Sequence, residues 1–313
     1  MTEVTQLRPG IWQISLPFQG EHDIIGAYLL ADGGEIALID PGPGSTSEAL
    51  LDGIRQAGFD PARVTHLLAT HIHLDHTGGI GTLLHTMPEA RVLVHSKGAS
   101  HLINPDKLIT SSARIYGERM QELWGSIDPV PEHNVQIIND GDVLTIAQRR
   151  LEVHYTPGHA SHHIIFFDVH SGDLFAGDVA GVRLQGVDYV RPPTPPPDLD
   201  IEAWSASIDT LKRLRPDVLY LAHFGPTSTP IPHLEHLREK LYSWGDFVLH
   251  AMRDGLSEGA IIDRLIEHVQ PELKRVSSEE RTLKRYEIAT NYAMTVQGYM
   301  RYWRKRHPER LQP

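Results

Sequence analysis

Residues 11–16, Ile-Trp-Gln-Ile-Ser-Leu, alternate apolar and polar side chains, the period of a half-buried strand. The apolar runs at 27–30 and 36–39 flank Asp32-Gly33-Gly34, a hairpin signal, so the chain from about Val4 to Ile39 reads as an antiparallel opening. Asp40-Pro41-Gly42-Pro43-Gly44 then stops the strand, and Ser45 or Ser47 is placed to cap a helix over 48–54. An apolar strand at 64–70, a helix near 81–87, a strand at 91–95 and a mainly helical stretch from 97 to 124 follow. Tyr116, Met120 and Trp124 in that last stretch share one helical face and read as packing residues.

A second strand-rich half begins at 135–138 and continues through 143–146 and 151–155, with turns expected at 140–142 and 148–150. A hairpin at 164–168 and 174–176 closes it. Residues 192–197, Pro-Pro-Thr-Pro-Pro-Pro, form a stiff extended segment, read equally as a spacer or as the wall of a cleft. The stretch 199–215 is an amphipathic helix carrying Ile201, Trp204, Ile208 and Leu211 on one face, and it leads to a last strand. Beyond Pro230 the pattern is helical throughout: 234–253, then 260–269 capped by Ser257. The capping box Ser277-Ser278-Glu279-Glu280 then opens one long helix reaching about Arg306. Two strand-rich halves with helices predict an α+β chain: an αββα sandwich of two mixed β-sheets flanked by helices, spanning 1–230, with a C-terminal helical extension at 231–313.

Composition narrows the chemistry. The 313 residues, 22% charged with mean hydropathy −0.27, describe a globular protein large enough for a sizeable core. There is no cysteine, so any metal must be bound by nitrogen and oxygen. No run approaches the roughly 18 apolar residues of a membrane span, and residues 1–6 lack a basic and then apolar leader; a cytoplasmic protein without a membrane partner is expected. The net charge is −11, and the residues from His233 onward carry 14 basic against 12 acidic side chains, which leaves the earlier part at −13. That sign is wrong for tracking phosphates, so a small-molecule substrate is expected and a nucleic acid is not.

The densest chemistry lies in Thr70-His71-Ile72-His73-Leu74-Asp75-His76-Thr77-Gly78-Gly79. Three imidazoles and a carboxylate within six positions are costly to bury unless a cation sits among them. On a loop at a strand end, His71 and His73 point one way while Asp75 and His76 turn toward a second, adjacent position. Later strand-like runs end at His159, Asp178 and His223.

The motif His-x-His-x-Asp-His, followed by those three residues in order, resembles the metallo-β-lactamase-fold hydrolase superfamily, in its glyoxalase II and lactonase-like branch. The resemblance implies one metal on His71, His73 and His159, a second on Asp75, His76 and His223, and Asp178 bridging them. It implies Asp40 beneath the metals, ordering the ligand loop, and leaves His162 and His163 as outer groups. The cofactors would be two divalent ions, zinc foremost, with iron, manganese or cobalt accepted by the same donors. They would generate a shared hydroxide that attacks a carboxylic ester, thioester or lactone, with Asp75 passing the proton. The alternatives are a phosphodiesterase or nuclease of the same fold, or a metal-binding protein without catalysis. Tyr189 and Arg191, shortly after a ligand position, are expected to hydrogen-bond substrate.

Overall fold

The alternating start of the chain folds into a meander in the computed structural model, which describes residues 2–277 and 279–312. β1 (Glu3–Arg8), β2 (Ile11–Phe18), β3 (Glu21–Asp32) and β4 (Glu35–Ile39) pair antiparallel in order. The β3–β4 turn uses Gly33 and Gly34 at φ +57° and +86°, a left-handed pair that glycine adopts without strain. The direction then changes. β5 (His66–Leu68), β6 (Arg91–His95) and β7 (Val135–Ile138) add parallel to β4 and complete a seven-stranded sheet.

The second sheet has six strands in the spatial order β13-β12-β11-β10-β9-β8. They are β8 (Val143–Ile146), β9 (Arg149–Tyr155), β10 (Ile164–Asp168), β11 (Asp173–Gly177), β12 (Val218–Leu221) and β13 (Gly225–Thr227). Only β11 and β12 pair in parallel. Their connection contains the proline run and the helix at 201–214, whereas the antiparallel neighbours β10 and β11 need only a tight turn.

Three apolar clusters follow from this layering. Between the sheets, Tyr28, Leu30, Ile39 and Leu68 meet Val153, Phe166, Phe175 and Tyr220. Outside the first sheet lie α1 (Ser47–Gln56), α2 (Leu74–Thr77), α3 (Ile80–Leu83), α4 (Ser96–Ile103), α5 (Asp106–Tyr116) and α6 (Met120–Trp124). Outside the second lie α7 (Ile201–Leu214), α8 (Pro230–Arg253), α9 (Glu258–Val276) and α11 (Tyr292–Arg306), whereas α10 (Glu280–Ala289) packs with the first sheet's cluster through Leu283, Tyr286 and Ile288. The expected αββα sandwich with C-terminal helices is therefore observed. Trp244 and Val248 of α8 and Tyr299 and Trp303 of α11 share one core with Trp204, Leu174 and Leu219.

Local expectations fail where side chains find other partners. Neither Ser45 nor Ser47 caps α1: Ser45 Oγ donates to Leu123 O at 2.6 Å, and the residue before the helix, Thr46, makes no capping bond. The turn expected at 148–150 lies one residue earlier, because Ala147 and Gln148 take φ +48° and +56° and Arg149 already pairs in β9. The helix near 81–87 ends at Leu83. The long C-terminal helix is two helices. Thr290 and Asn291 are extended, and Asn291 accepts from Met294 N at 2.7 Å, a cap that starts α11. Of the capping box, Ser278 lies outside the described residues, and Glu279 precedes α10 without a side-chain cap. The cap at Ser257 is present, accepting from Ala260 N at 3.3 Å.

Trp204 joins α7 to the second sheet: it is fully buried, and its Nε1 donates to Val179 O at 2.7 Å. Trp204→Ala should lower the unfolding free energy by about 3–5 kcal/mol, read from urea midpoints at unchanged slope. A loss under about 1 kcal/mol would mean that the site collapses without penalty and that α7 is held elsewhere.

Candidate metal centre

Asp40 follows β4, His71 to His76 follow β5, His159 follows β9, Asp178 follows β11 and His223 follows β12. Because β9, β11 and β12 run in one direction, their carboxyl ends bring the last three residues to one edge, facing the loop after β5. Two glycines make that approach possible. A Cβ on Gly158, at φ +134°, would stand 2.3 Å from Trp204 Cα, and one on Gly177, at φ +50°, would stand 2.5 Å from Thr70 Oγ1.

The seven expected side chains converge. Nδ1 of His73 lies 3.1 Å from Nε2 of His71 and 2.9 Å from Nε2 of His159. Asp178 divides its two oxygens: Oδ2 is 3.5 Å from His159 Nε2, while Oδ1 is 3.4 Å from His76 Nε2 and 3.6 Å from His223 Nε2. Asp75 Oδ2 lies 3.4 Å from His223 Nε2 and 3.8 Å from His76 Nε2. Three overlapping groups have donor atoms close enough to hold an ion: His71, His73 and His159; His71, His76 and Asp178; Asp75, His76 and His223.

The outward nitrogens fix which way the lone pairs point. His159 Nδ1 donates to Pro193 O at 2.8 Å and His223 Nδ1 to Ile24 O at 2.7 Å. His76 Nδ1 donates to Asp40 Oδ2 at 3.0 Å. Thr70 Oγ1 spends its proton on Asp40 Oδ2 at 2.7 Å, and so it accepts from His71 Nδ1 at 3.1 Å. Asp40 Oδ1 also accepts from Thr70 N at 2.8 Å. Four rings thus turn Nε2 inward with Nδ1 already committed to a partner, so that in the neutral ring the lone pair a cation requires faces the centre. His163 supports from behind, its Nε2 accepting from Asp178 N at 3.2 Å, and His162 Nδ1 accepts weakly from Ile72 N at 3.4 Å.

Charge separates the groups. Burial, reinforced by neighbouring imidazoles, holds His71 well below the ordinary histidine range and His73 at about 4; burial also lowers His159 against the opposing pull of Asp178. Burial alone would lower His76 and His223 as well, but Asp178 and Asp75 outweigh it and raise both. Asp75 and Asp178 are held low by His76 and His223 despite burial. His76 Nε2 and Asp178 Oδ1 are buried without any hydrogen-bond partner among the described residues. An orphaned pair of this kind costs about 1–3 kcal/mol per group, and a cation between them would remove the cost. The residues therefore fit divalent metal.

The centre opens into a cavity of about 690 Å³ whose floor includes His73, Asp75, His159, Asp178 and His223. Pro193 to Pro197 form part of its wall, so the proline run is a cleft wall. Tyr116 and Trp124 pack against each other and also face the cavity. Sequence reasoning missed the C-terminal contribution: Ile288, Ala289 and Met294, around the break between α10 and α11, also line it. The signal available was Asn291, a cap residue inside an apolar helical pattern.

Tyr189 and Arg191 are placed elsewhere, which corrects their expected contact with substrate. Val182 bridges Arg191 in antiparallel pairing, which directs Arg191 into the C-terminal helices. Its guanidinium lies 4.4 Å from the Tyr292 ring and 4.8 Å from the Tyr286 ring and donates to Tyr292 Oη, and only 1% of the residue is exposed. Tyr189 is buried beneath Lys240, whose Nζ sits 3.5 Å from the ring centre. Neither lines the cavity.

A sequence profile of the family described as the metallo-beta-lactamase superfamily matches residues 23–223. A metallo-beta-lactamase fold-containing protein of Sulfurisphaera tokodaii is 31% identical over 183 residues, covering 57% of this chain and 67% of that protein. An atrochrysone carboxyl ACP thioesterase of Aspergillus fumigatus is 26% identical over 227 residues, covering 71% of this chain and 58% of that protein. The chain thus spans between 58% and 67% of the length of these two relatives. Among solved structures, a metallo-beta-lactamase family protein of Thermus thermophilus has a TM-score of 0.69 over 96% of this chain and 95% of its own, at 24% identity, a likeness of fold.

With its guanidinium held by tyrosine faces, Arg191 should tolerate lysine poorly. Arg191→Lys is expected to reduce stability by about 1–3 kcal/mol, because an ammonium cannot stack as the planar group does. Chemical denaturation measures this; an unchanged midpoint would mean that the aromatic box contributes nothing.

Proposed function

The chain belongs to the metallo-beta-lactamase superfamily, and on that premise we propose that it is a hydrolase of a carboxylic ester, thioester or lactone that works with two divalent ions. In this reading His71, His73 and His159 would hold one ion, Asp75, His76 and His223 would hold the other, and Asp178 would contribute to both. The observation that carries it is the division of Asp178, with one oxygen toward each group and Oδ1 buried without a partner. Zinc suits this all-nitrogen and oxygen set, as would iron, manganese or cobalt. Bound divalent ions supply two things here: polarisation of a carbonyl oxygen and acidification of water toward neutrality.

The chain's own residues do the rest. Asp75 faces the cavity with its side chain a quarter exposed, and the pull of His76 and His223 keeps it ionised, so it can accept a proton from the attacking water and deliver it to the leaving group. Asp40 orients His76 and, through Thr70, His71; it acts on the reaction only through those rings. The apolar walls and the proline segment border the approach to the floor. The match to a thioesterase over 71% of this chain supports an acyl substrate. The charge of −13 before His233 argues against a nucleic acid.

Protein purified without chelator should contain about two equivalents of divalent metal by elemental analysis, and a chelator should abolish turnover of chromogenic esters, thioesters or lactones until metal is restored. His73→Ala should cut kcat/KM by more than about 100-fold, beyond the effect of losing a supporting bond. Asp40→Ala should weaken metal affinity by about 10–100-fold in competition with a coloured chelator. Faster hydrolysis of bis-p-nitrophenyl phosphate than of every acyl substrate would overturn the acyl reading. Metal without turnover in any arm would overturn catalysis itself.

A further inference from the structure

We propose that the cavity above the metal centre is an acyl-chain site, so that the preferred substrates carry a long, uncharged apolar acyl group with its carbonyl on the Asp75 and Asp178 floor; this rests on the acyl hydrolase reading above. The volume, about 690 Å³, is in the range of pockets that enclose a whole small-molecule substituent rather than a carbonyl alone. Its walls are more apolar than polar, and the apolar side chains come from separated parts of the chain. Phe18 and Ile24 come from the β2–β3 hairpin, Leu108 and Ile115 from α5, Ile288 and Met294 from the α10–α11 junction, and the proline segment at 193–197 adds to them.

The walls are braced against each other. Phe18 stacks on Trp124 at 5.4 Å between ring centres, Tyr116 meets Trp124 edge-on at 5.0 Å, and Tyr116 Oη donates to Met294 Sδ at 3.6 Å, joining α5 to α11. Among the described residues, the cations on the lining are Arg119 and Lys284, both at the exposed rim and engaged with Glu122 and Glu21. Glu287 faces Tyr292 N, and burial raises its carboxyl above the ordinary range. A carboxylate or phosphate inside would therefore lose its hydration and find no cation short of the floor. A hydrocarbon chain would lose nothing by entering and would gain about fourfold in binding for each methylene removed from water.

The test uses the metal-loaded full chain with oxoesters, thioesters and ring-opening lactones bearing saturated chains from acetyl to decanoyl, kept below micelle-forming concentrations. Expected is a rise in kcat/KM of about fourfold per methylene, mostly through KM, until the cavity is filled; the three arms identify which acyl linkage is favoured. Ala293 lines the cavity beside Met294, so Ala293→Phe fills part of the space and should remove at least tenfold of the gain for decanoyl while leaving acetyl within twofold. Calorimetric binding of the non-hydrolysable methyl ketones to the same protein should tighten with chain length, with an increasingly negative heat-capacity change. A chain-length profile that is flat or falling, in turnover or in ketone binding, overturns the acyl-chain site. Absence of any turnover overturns the hydrolase reading alone, since the ketone titration still decides whether chains are bound.

Discussion

Seven imidazoles and carboxylates cannot be collected in a protein interior unless each polar atom is met, and the fold is arranged around meeting them. The outward nitrogens are satisfied first: His159 by Pro193 O, His223 by Ile24 O, His76 by Asp40, and His71 by a threonine that Asp40 itself orients. That leaves the inward atoms facing one another at 2.9–3.8 Å, with His76 Nε2 and Asp178 Oδ1 unpaired. Once the support is fixed, a positive ion is the remaining partner that satisfies both nitrogen and oxygen donors at once.

The same arrangement explains why the two sheets and the C-terminal helices form one packed body. Asp40 is anchored by Thr70 across neighbouring parallel strands of the first sheet, while the carbonyl that orients His223 of the second sheet belongs to Ile24 of the first. The rings therefore depend on the register of both sheets. Trp204 of α7 rests edge-on against His159 at 5.6 Å, and α7 is in turn covered by α8 and α11 in a common core. The helical region follows the ligand residues in sequence, yet it supplies one wall of the cavity through the break at Thr290 and Asn291.

Arg191 is placed by the same constraint. Its position shortly after Asp178 and beside the proline run made it a plausible substrate contact. Direction of travel decided otherwise: the bridge to Val182 aims the side chain away from the centre, and Tyr286 and Tyr292 of the C-terminal helices surround it together with neighbouring Tyr189. Distance along the chain constrains where a backbone passes, whereas the face on which a side chain emerges depends on pairing made elsewhere.

By itself the sequence determined the layers and the donors. Period-2 alternation, β-prone runs and glycine turns are local, and so are the dense His71 to His76 motif and the strand-like runs that end at His159, Asp178 and His223. Only the tertiary structure decided what holds those donors and what lies above them. The partners of His159 and His223 are backbone carbonyls, which carry no residue signature, and the cavity walls come from Phe18, Tyr116 and Met294, side chains separated by up to nearly the whole chain. Their convergence is a property of packing, because apolar residues of similar size and pattern are interchangeable to a local reading until the sheets and helices fix which of them meet.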